Sequence, residues 1–349
     1  MKNKIKIGGR PVGQGEPVFI IAEVGSNHNR DLKTALKMIG LAADAGVDAV
    51  KFQTYSAGTL YSKFTPRLSE MKGRSKPGEG PYDLIKRIEM PRAWHQTLMK
   101  KCRDCGVLFS SSPFDLEAVR ELDRLNVPFF KIASYETDDF RLLKAIGSTG
   151  KPVIISTGNS DLKMIREALG VLRNAGSRNI ILLHCVSQYP AVYRDLNLRA
   201  MGTLKGKFKL PVGFSDHTLT SLSAIAAVAL GACVIEKHFT LNKKQIGPDH
   251  PFSLEPAELK EFVANIRKTE QALGSNVKKV LDSERENFRL ARRSLHAAYN
   301  IKKGTKITPE MLVVKRPGLG IKSKDENRVV GKVARTDIKA DQWITEEMI

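Results

Sequence analysis

Cysteine is scarce in this chain. Its 349 residues include four, Cys102, Cys105, Cys185 and Cys233, too few for a disulfide framework, so stability has to come from a buried core. Cys102 and Cys105 have CxxC spacing, but no second Cys or His pair stands nearby to complete a zinc site. They fall on an expected helix, and all four read as reduced thiols. Aromatic residues make up 7% and do not interleave with basic ones, which argues against the stacking platforms of a single-strand binder. Long apolar runs are also missing. The longest, around Ala224–Ile235, is alanine-rich and too short to cross a bilayer. The stretch Met1–Arg10 is basic without the apolar core of a secretory signal. A cytoplasmic enzyme with neither nucleic-acid nor membrane partners is expected.

Acidic residues are in deficit, 37 against 57 Lys plus Arg, for a formal net charge of +20. The excess is spread along the chain with no block of five or more like charges, so it suits small anionic substrates, or plain surface composition, better than a nucleic-acid interface. A hydrophobic content of 42% and a charged content of 27% are ordinary for a globular protein. The length accommodates one large barrel and a small second domain.

The pattern supports that division. Residues 1–16 read as a hairpin turning at Gly8 and Gly9. Eight short apolar runs follow: Val18–Ala22, Ala49–Phe52, Val107–Ser110, Phe129–Ile132, Val153–Ile155, Ile180–Leu183, Pro211–Phe214 and Cys233–Ile235. Each is apolar throughout, as strands buried on both faces are. Amphipathic helices lie between them, one with Asp31 as N-cap and Gly46 beyond its end, another over Pro256–Leu273. Alternating units over residues 17–274 fit a (β/α)8 TIM barrel, with a doubly wound open sheet as the competing fold. The barrel is favoured by the polar residues that close the runs: Glu23; Lys51 and Gln53; Ser111 and Ser112; Lys131 and Ser134; Ser156; Ser187 and Tyr189; Ser215 and His217; Glu236 and His238. A closed barrel brings all of these to one rim.

Residues 275–293 read as a polar linker with a short helix, and 294–349 as a small β-rich domain. That domain holds an imperfect repeat: Ile301–Leu312 matches Ile338–Ile349 at an offset of 37 residues. Each copy suggests strand, turn, short strand and a helical turn capped by Thr308 or Thr345.

Three kinds of chemistry converge at the expected rim. Lys51 and Lys131, with Ser134, Ser111–Ser112 and Ser156-Thr157-Gly158, suit a phosphate and a carboxylate on one small ligand. His217 and His238, on adjacent strands, can reach one divalent ion or can simply be hydrogen-bonded. Glu23, Glu136, Glu236 and Asp249 can move protons, hold a sugar hydroxyl, or pair with lysine.

Together, Ile21–His28, Lys51–Thr54, Ser111–Phe114, Lys131–Glu136, Ser156–Gly158, His184–Pro190, Gly213–His217, Glu236–His238 and Lys315–Gly318 resemble the sialic acid synthases, over nearly the whole chain and in the family's order. The resemblance implies a TIM barrel followed by an antifreeze-like (SAF, β-clip) domain, in a domain-swapped homodimer. It implies condensation of phosphoenolpyruvate with an open-chain N-acetylated amino sugar of the N-acetylmannosamine type. The products would be a nine-carbon 2-keto acid and phosphate. By the same resemblance His217 and His238 bind a divalent metal, Mn2+ usually, with Mg2+ or Co2+ as alternatives. Lys51, Ser112, Lys131, Ser134, Ser156 and Ser215 would hold phosphoenolpyruvate. Glu23, Gln53, Tyr189 and Asp249 would hold the sugar, with Ser187 also in the substrate site. Arg316 would reach the N-acetyl group from the partner chain. Glu23, Glu136 and His238 would be the catalytic set. Tyr135 and Ser187 stand where simple neuraminate synthases have Gly and Asn, and they resemble the branch acting on 2,4-diacetamido-2,4,6-trideoxyhexoses. Gly247–His250 resembles the neuraminate and legionaminate side. Alternatives are a barrel synthase acting on a phosphorylated aldose, which the C-terminal repeat disfavours, and a sugar-binding protein that has lost catalysis.

Overall fold

The computed structural model describes residues 4–66 and 78–349; the first three residues of the expected hairpin lie outside it. Two compact units form, Met1–Gly274 and Ser275–Ile349.

The first unit opens with an antiparallel hairpin, β1 (Lys4–Ile7) and β2 (Arg10–Gly13). Its turn needs two positive φ angles, and Gly8 and Gly9 supply them at +57° and +86°. Eight parallel strands follow: β3 (Phe19–Gly25), β4 (Ala49–Thr54), β5 (Leu108–Pro113), β6 (Phe130–Ile132), β7 (Val153–Ser156), β8 (Ile180–Cys185), β9 (Val212–Asp216) and β10 (Val234–His238). Their order is β5-β4-β3-β10-β9-β8-β7-β6, so the first and last strands of the series are paired. Ser110 Oγ on β5 donates to Phe129 O beside β6 at 3.2 Å, where the sheet closes on itself. The unit is a TIM-type barrel, and the open sheet is excluded.

Helices cover the outside. Helix Leu32–Asp44 starts where the Asp31 side chain accepts from Lys33 N at 3.0 Å and stops before Gly46, whose φ is +86°. It buries Ala35, Met38, Ile39 and Ala42, and helix Pro256–Leu273 buries Leu259, Phe262, Val263 and Ile266. The larger of these side chains each contribute about 1.5–3 kcal/mol.

Alternation along the strands creates two interiors. Outward residues such as Ile20, Val50, Phe130, Leu182 and Ile235 join the helices in one core. Inward residues are apolar low in the barrel, where Phe19, Ile21, Ala49, Phe129, Ile154, Ile181 and Val234 pack against Ile5, Ile7 and Val12 of the hairpin. The hairpin therefore plugs the N-terminal mouth. Higher up the same faces turn polar. For this reason β3, β4, β5, β8, β9 and β10 run two or three residues past the ends expected from hydrophobicity: polar inward positions there are still paired in the sheet.

In the second unit β11 (Ser294–Ala297) pairs antiparallel with β12 (Leu312–Lys315). The two repeat copies exchange backbone bonds about a pseudo-two-fold axis. Ile301 N donates to Ile338 O, and Ile338 N to Ile301 O, both at 2.8 Å. Ile307 N reaches Lys332 O at 2.8 Å, and its counterpart Ile344 N reaches Leu295 O at 2.9 Å. Thr308 and Thr345 do open matching turns, Pro309–Met311 and Glu346–Met348, but these are 3-10 turns and neither threonine side chain caps the backbone. Segment 275–293 contains helix Arg285–Leu290, tied to the second unit by Gly318 N donating to Arg289 O at 3.1 Å. Among the described residues no helix is long and apolar enough to cross a membrane.

Candidate active site at the upper rim of the barrel

Two buried lysines define the floor. Lys51 Nζ, from β4, lies 2.8 Å from Glu23 Oε2 and 3.8 Å from Glu236 Oε2, and donates to Ser112 Oγ at 3.2 Å. Lys131 Nζ, from β6, lies 3.6 Å from Glu236 Oε1 and donates to Ser156 Oγ at 2.7 Å. Ser215 Oγ donates to Glu236 Oε1 at 3.1 Å. Glu236 on β10 thus bridges both cations.

Burial acts on every group here. It pushes the Glu23 carboxyl up to about 7, against the pull of Lys51. For Glu236 burial acts the same way, but Lys131 and Lys51 together outweigh it and its pKa falls below the carboxylate norm. One acid stays ionised between two lysines while the other titrates near neutrality, the separation that acid–base chemistry requires. Burial also lowers Lys131. Lys51 resists the same burial and is raised, held by Glu23 and Glu236.

Three of the residues expected to hold the sugar, Glu23, Gln53 and Asp249, converge around Gly25, whose φ is +54°. A Cβ there would meet Asp249 Oδ2 at 3.0 Å, Gln53 Nε2 at 3.3 Å and Glu23 Oε1 at 3.4 Å, and Gln53 donates to Glu23 Oε1 at 2.7 Å. Beyond β6 a turn, Ser134–Glu136, places three neighbours differently. Ser134 is buried and its Oγ accepts from Gly158 N at 3.0 Å. Tyr135 is 55% exposed. Glu136 has a buried Oε2 without a hydrogen-bond partner, and burial raises its carboxyl to about 7. The Ser187 hydroxyl is likewise buried without a partner. Gly158 must be glycine, since a Cβ would run into the Ser187 and Ser134 hydroxyls.

His217 and His238 stand with ring centroids 5.6 Å apart, and Tyr189 stacks on His217 at 4.2 Å. His217 Nδ1 donates to Val186 O at 2.8 Å, which leaves Nε2 as the free lone pair. Burial works against charge on His217, but Cys185, with Sγ 3.8 Å away, and the Val186 carbonyl overcome it and raise its basicity. Burial and the neighbouring His217 hold His238 neutral, and its Nδ1 is buried without a hydrogen bond, 3.8 Å from Asp249 Oδ2. A neutral, orphaned ring nitrogen beside an oriented imidazole fits a divalent cation. Among the described residues no group of three or more His, Cys, Asp or Glu side chains converges to hold a metal.

The structure brings together Glu23, Lys51, Gln53, Ser112, Lys131, Ser134, Glu136, Ser156, Ser187, Tyr189, Ser215, His217, His238 and Asp249. Arg316 is exposed on the turn after β12 in the second unit. Ser111 is a correction. It faces the helix layer, where Thr54 Oγ1 lies 2.7 Å from its Oγ and 2.8 Å from His95 Nε2. One residue of strand register reverses the face, so Ser111 and Ser112 cannot both point inward. Two features escaped the sequence reading: the bridging position of Glu236, and Cys185 as an inward neighbour of His217. Counting by twos from Val234, through Glu236 to His238, identifies the inward set. All four cysteines are free.

The geometry, two buried lysines sharing a carboxylate together with a pair of imidazoles in a (β/α)8 barrel, and a β-rich second unit, defines a class that sequence comparison resolves. The NeuB family model matches residues 38–278 and the SAF domain model residues 292–349. The chain belongs to the NeuB family. It is 43% identical to the N,N'-diacetyllegionaminic acid synthase of Campylobacter jejuni, over 94% of this chain and 99% of that one. With the enzyme of the same name from Legionella pneumophila it shares 40% identity, covering 100% and 99%. The crystal structure of N-acetylneuraminic acid synthetase from Leptospira borgpetersenii, in complex with citrate, superposes with a TM-score of 0.71 at 36% identity, covering 82% of this chain and 95% of that one.

Proposed function

We propose that this protein condenses phosphoenolpyruvate with an open-chain 2,4-diacetamido-2,4,6-trideoxyhexose and water, releasing phosphate and a nine-carbon 2-keto acid. The observation that carries the reaction is the floor of the site. Two buried ammonium groups flank one carboxylate, ringed by Ser112, Ser156 and Ser215 hydroxyls. Glu236 is shared by both ammonium groups and Glu23 beside Lys51 titrates near 7, so an anionic ligand would complete the charge balance of the pair. Choice of the diacetamido sugar rests on the two legionaminate synthases among the relatives. N-acetylmannosamine is the second reading, favoured by the Leptospira structure.

In this reading Lys51, Lys131, Ser112, Ser134, Ser156, Ser187 and Ser215 bind phosphoenolpyruvate through its phosphate and carboxylate. Glu23, Gln53, Tyr189 and Asp249 orient the sugar aldehyde above it. His217 and His238 would hold Mn2+, or else Mg2+ or Co2+, which supplies Lewis-acid polarisation of the aldehyde oxygen. The enol π pair forms the new C–C bond to the aldehyde carbon, and the aldehyde oxygen takes up a proton. Glu136 and Glu23, both titrating near 7, are the groups able to exchange it at neutral pH. Positive charge left at C2 faces the ionised Glu236. Water adds at C2, losing a proton to a carboxylate. The C2–O bond then breaks with its electron pair leaving on phosphate, and the C2 hydroxyl gives up its proton to become the ketone. Arg316 would reach the N-acetyl group from a second copy of the chain in a domain-swapped homodimer.

The test is phosphate release from phosphoenolpyruvate with Mn2+ and a panel of N-acetylated hexoses and diacetamido hexoses. Bridging-oxygen 18O label should leave in the phosphate. Folded, metal-loaded protein that releases no phosphate with any sugar overturns the reading.

A further inference from the structure

The sheet holds His238 through its pairing with Glu23 on β3, but no ladder bond links His238 directly to His217. The β9–β10 ladder ends at Asp216 paired with Lys237, one residue short of His217 and His238. Alternation turns Asp216 and Lys237 to the outer face, beneath helix Pro256–Leu273, as it turns the histidines inward. There Lys237 Nζ meets Asp216 Oδ2 at 3.0 Å with both side chains fully buried. The same ammonium donates to Thr218 O and, at 3.4 Å, to Thr220 O. It lies 5.9 Å from the centre of the Phe262 ring. Asp216 Oδ1 accepts from Thr218 N at 2.9 Å, so the chain on both sides of His217 is tied to one buried pair.

We propose that Asp216 and Lys237 are a positioning pair. From the outer face of the barrel they clamp the ends of β9 and β10 and thereby set the distance between His217 and His238. This rests on the reading that those two imidazoles hold the divalent cation. A buried ion pair is weak evidence of stabilisation, since apolar replacements of similar volume often serve as well. Two buried charges placed one residue behind both histidines make sense as a register device. Neither side chain reaches the inner face, so phosphoenolpyruvate-binding groups are untouched by substituting them.

The test uses Mn2+ alone, titrated against the full chain and followed by the electron paramagnetic resonance signal of the free ion. Asp216→Asn keeps the acceptor for Thr218 N and removes the charge. Asp216→Asn with Lys237→Met removes the pair without leaving a buried ion. Both should fold, by circular dichroism and cooperative unfolding, and should bind phosphoenolpyruvate without metal as the wild type does. Both should bind Mn2+ roughly tenfold to hundredfold more weakly, the range for losing groups that orient metal ligands, and the Co2+ absorption spectrum should shift. If either variant folds and keeps wild-type Mn2+ affinity and Co2+ spectrum while His217→Ala loses binding, the pair is only structural and the proposal is overturned. If His217→Ala binds Mn2+ as tightly as wild type, the metal reading itself fails and takes the positioning role with it.

Discussion

Gly158 shows how a residue without a side chain can shape the site proposed for phosphoenolpyruvate. Its missing Cβ is the space into which the Ser134 and Ser187 hydroxyls turn. Gly158→Ala should displace both while leaving the barrel folded. Hydrogen bonds to a charged ligand are worth about 1.5–3 kcal/mol, so the KM for phosphoenolpyruvate should rise roughly tenfold to hundredfold. Steady-state kinetics at saturating sugar measure it, and an unchanged KM would remove these hydroxyls from the phosphate site. Glu136 gives a prediction in pH. Burial raises its carboxyl to about 7 in the folded protein, against about 4.3 in an unfolded chain. Between those values the folded state binds more protons, so stability falls as pH rises through that window, and the penalty is complete above pH 7. Glu136→Gln removes the titration. Relative to wild type the variant should gain up to about 3 kcal/mol between pH 5 and pH 8, read from urea unfolding at each pH. Parallel pH profiles for the two proteins would mean that the carboxyl is not perturbed.

At the scale of elements, the starts of the strands were legible and their ends were not. Val18–Ala22 and Cys233–Ile235 announce β3 and β10 because both faces are apolar low in the barrel. Glu23, Glu236 and His238 read as polar residues closing the apolar runs, yet they are still paired within the sheet, His238 with Glu23 and Glu236 with Ile21. Function had replaced hydrophobicity on the inward face, so an apolar criterion stops where the site begins. Residue type cannot tell Ser111 from Ser112, or Lys131 from Lys237; strand alternation can. The turn Ser134–Glu136 carries a prediction of its own. Ser134 is buried and Glu136 largely so, while Tyr135 between them is half exposed. A ring at this position would pack against the methyl group of a 6-deoxy sugar. Tyr135→Gly should lower kcat/KM for 6-deoxy diacetamido sugars relative to N-acetylmannosamine. If both proteins rank the sugars identically, Tyr135 does not select the substrate.

For the whole molecule, the question is whether Arg316 completes a barrel site, and whether it does so in its own chain or in a second copy. A planar donor fork suits a substrate amide carbonyl, and a charged hydrogen bond of about 1.5–3 kcal/mol makes Arg316→Ala roughly tenfold to hundredfold slower in kcat/KM. Lys131→Ala should be nearly inactive. When the two variants are unfolded and refolded together, a site shared between chains gives each mixed dimer one fully native site. Up to about a quarter of wild-type activity should then return in a symmetric dimer population. If each chain completes its own site, mixing restores nothing. Mixed dimers detected by mass spectrometry without recovered activity would refute sharing. The sequence revealed the two repeat copies, because their offset is constant, and it placed Arg316 in the turn between them. Whether that arginine completes a barrel site, and in which chain, is a property of assembly, which spacing does not encode.

The exchange of bonds between the two repeat copies has a further meaning. Ile301 and Ile338 satisfy one another, and so do the pairs that link Ile307 to Lys332 and Ile344 to Leu295. These bonds run in matched pairs about the pseudo-two-fold axis, so the tail is built like a dimer within one polypeptide. Any drift in one copy is answerable to the other across the axis, a constraint that favours paired change over single change.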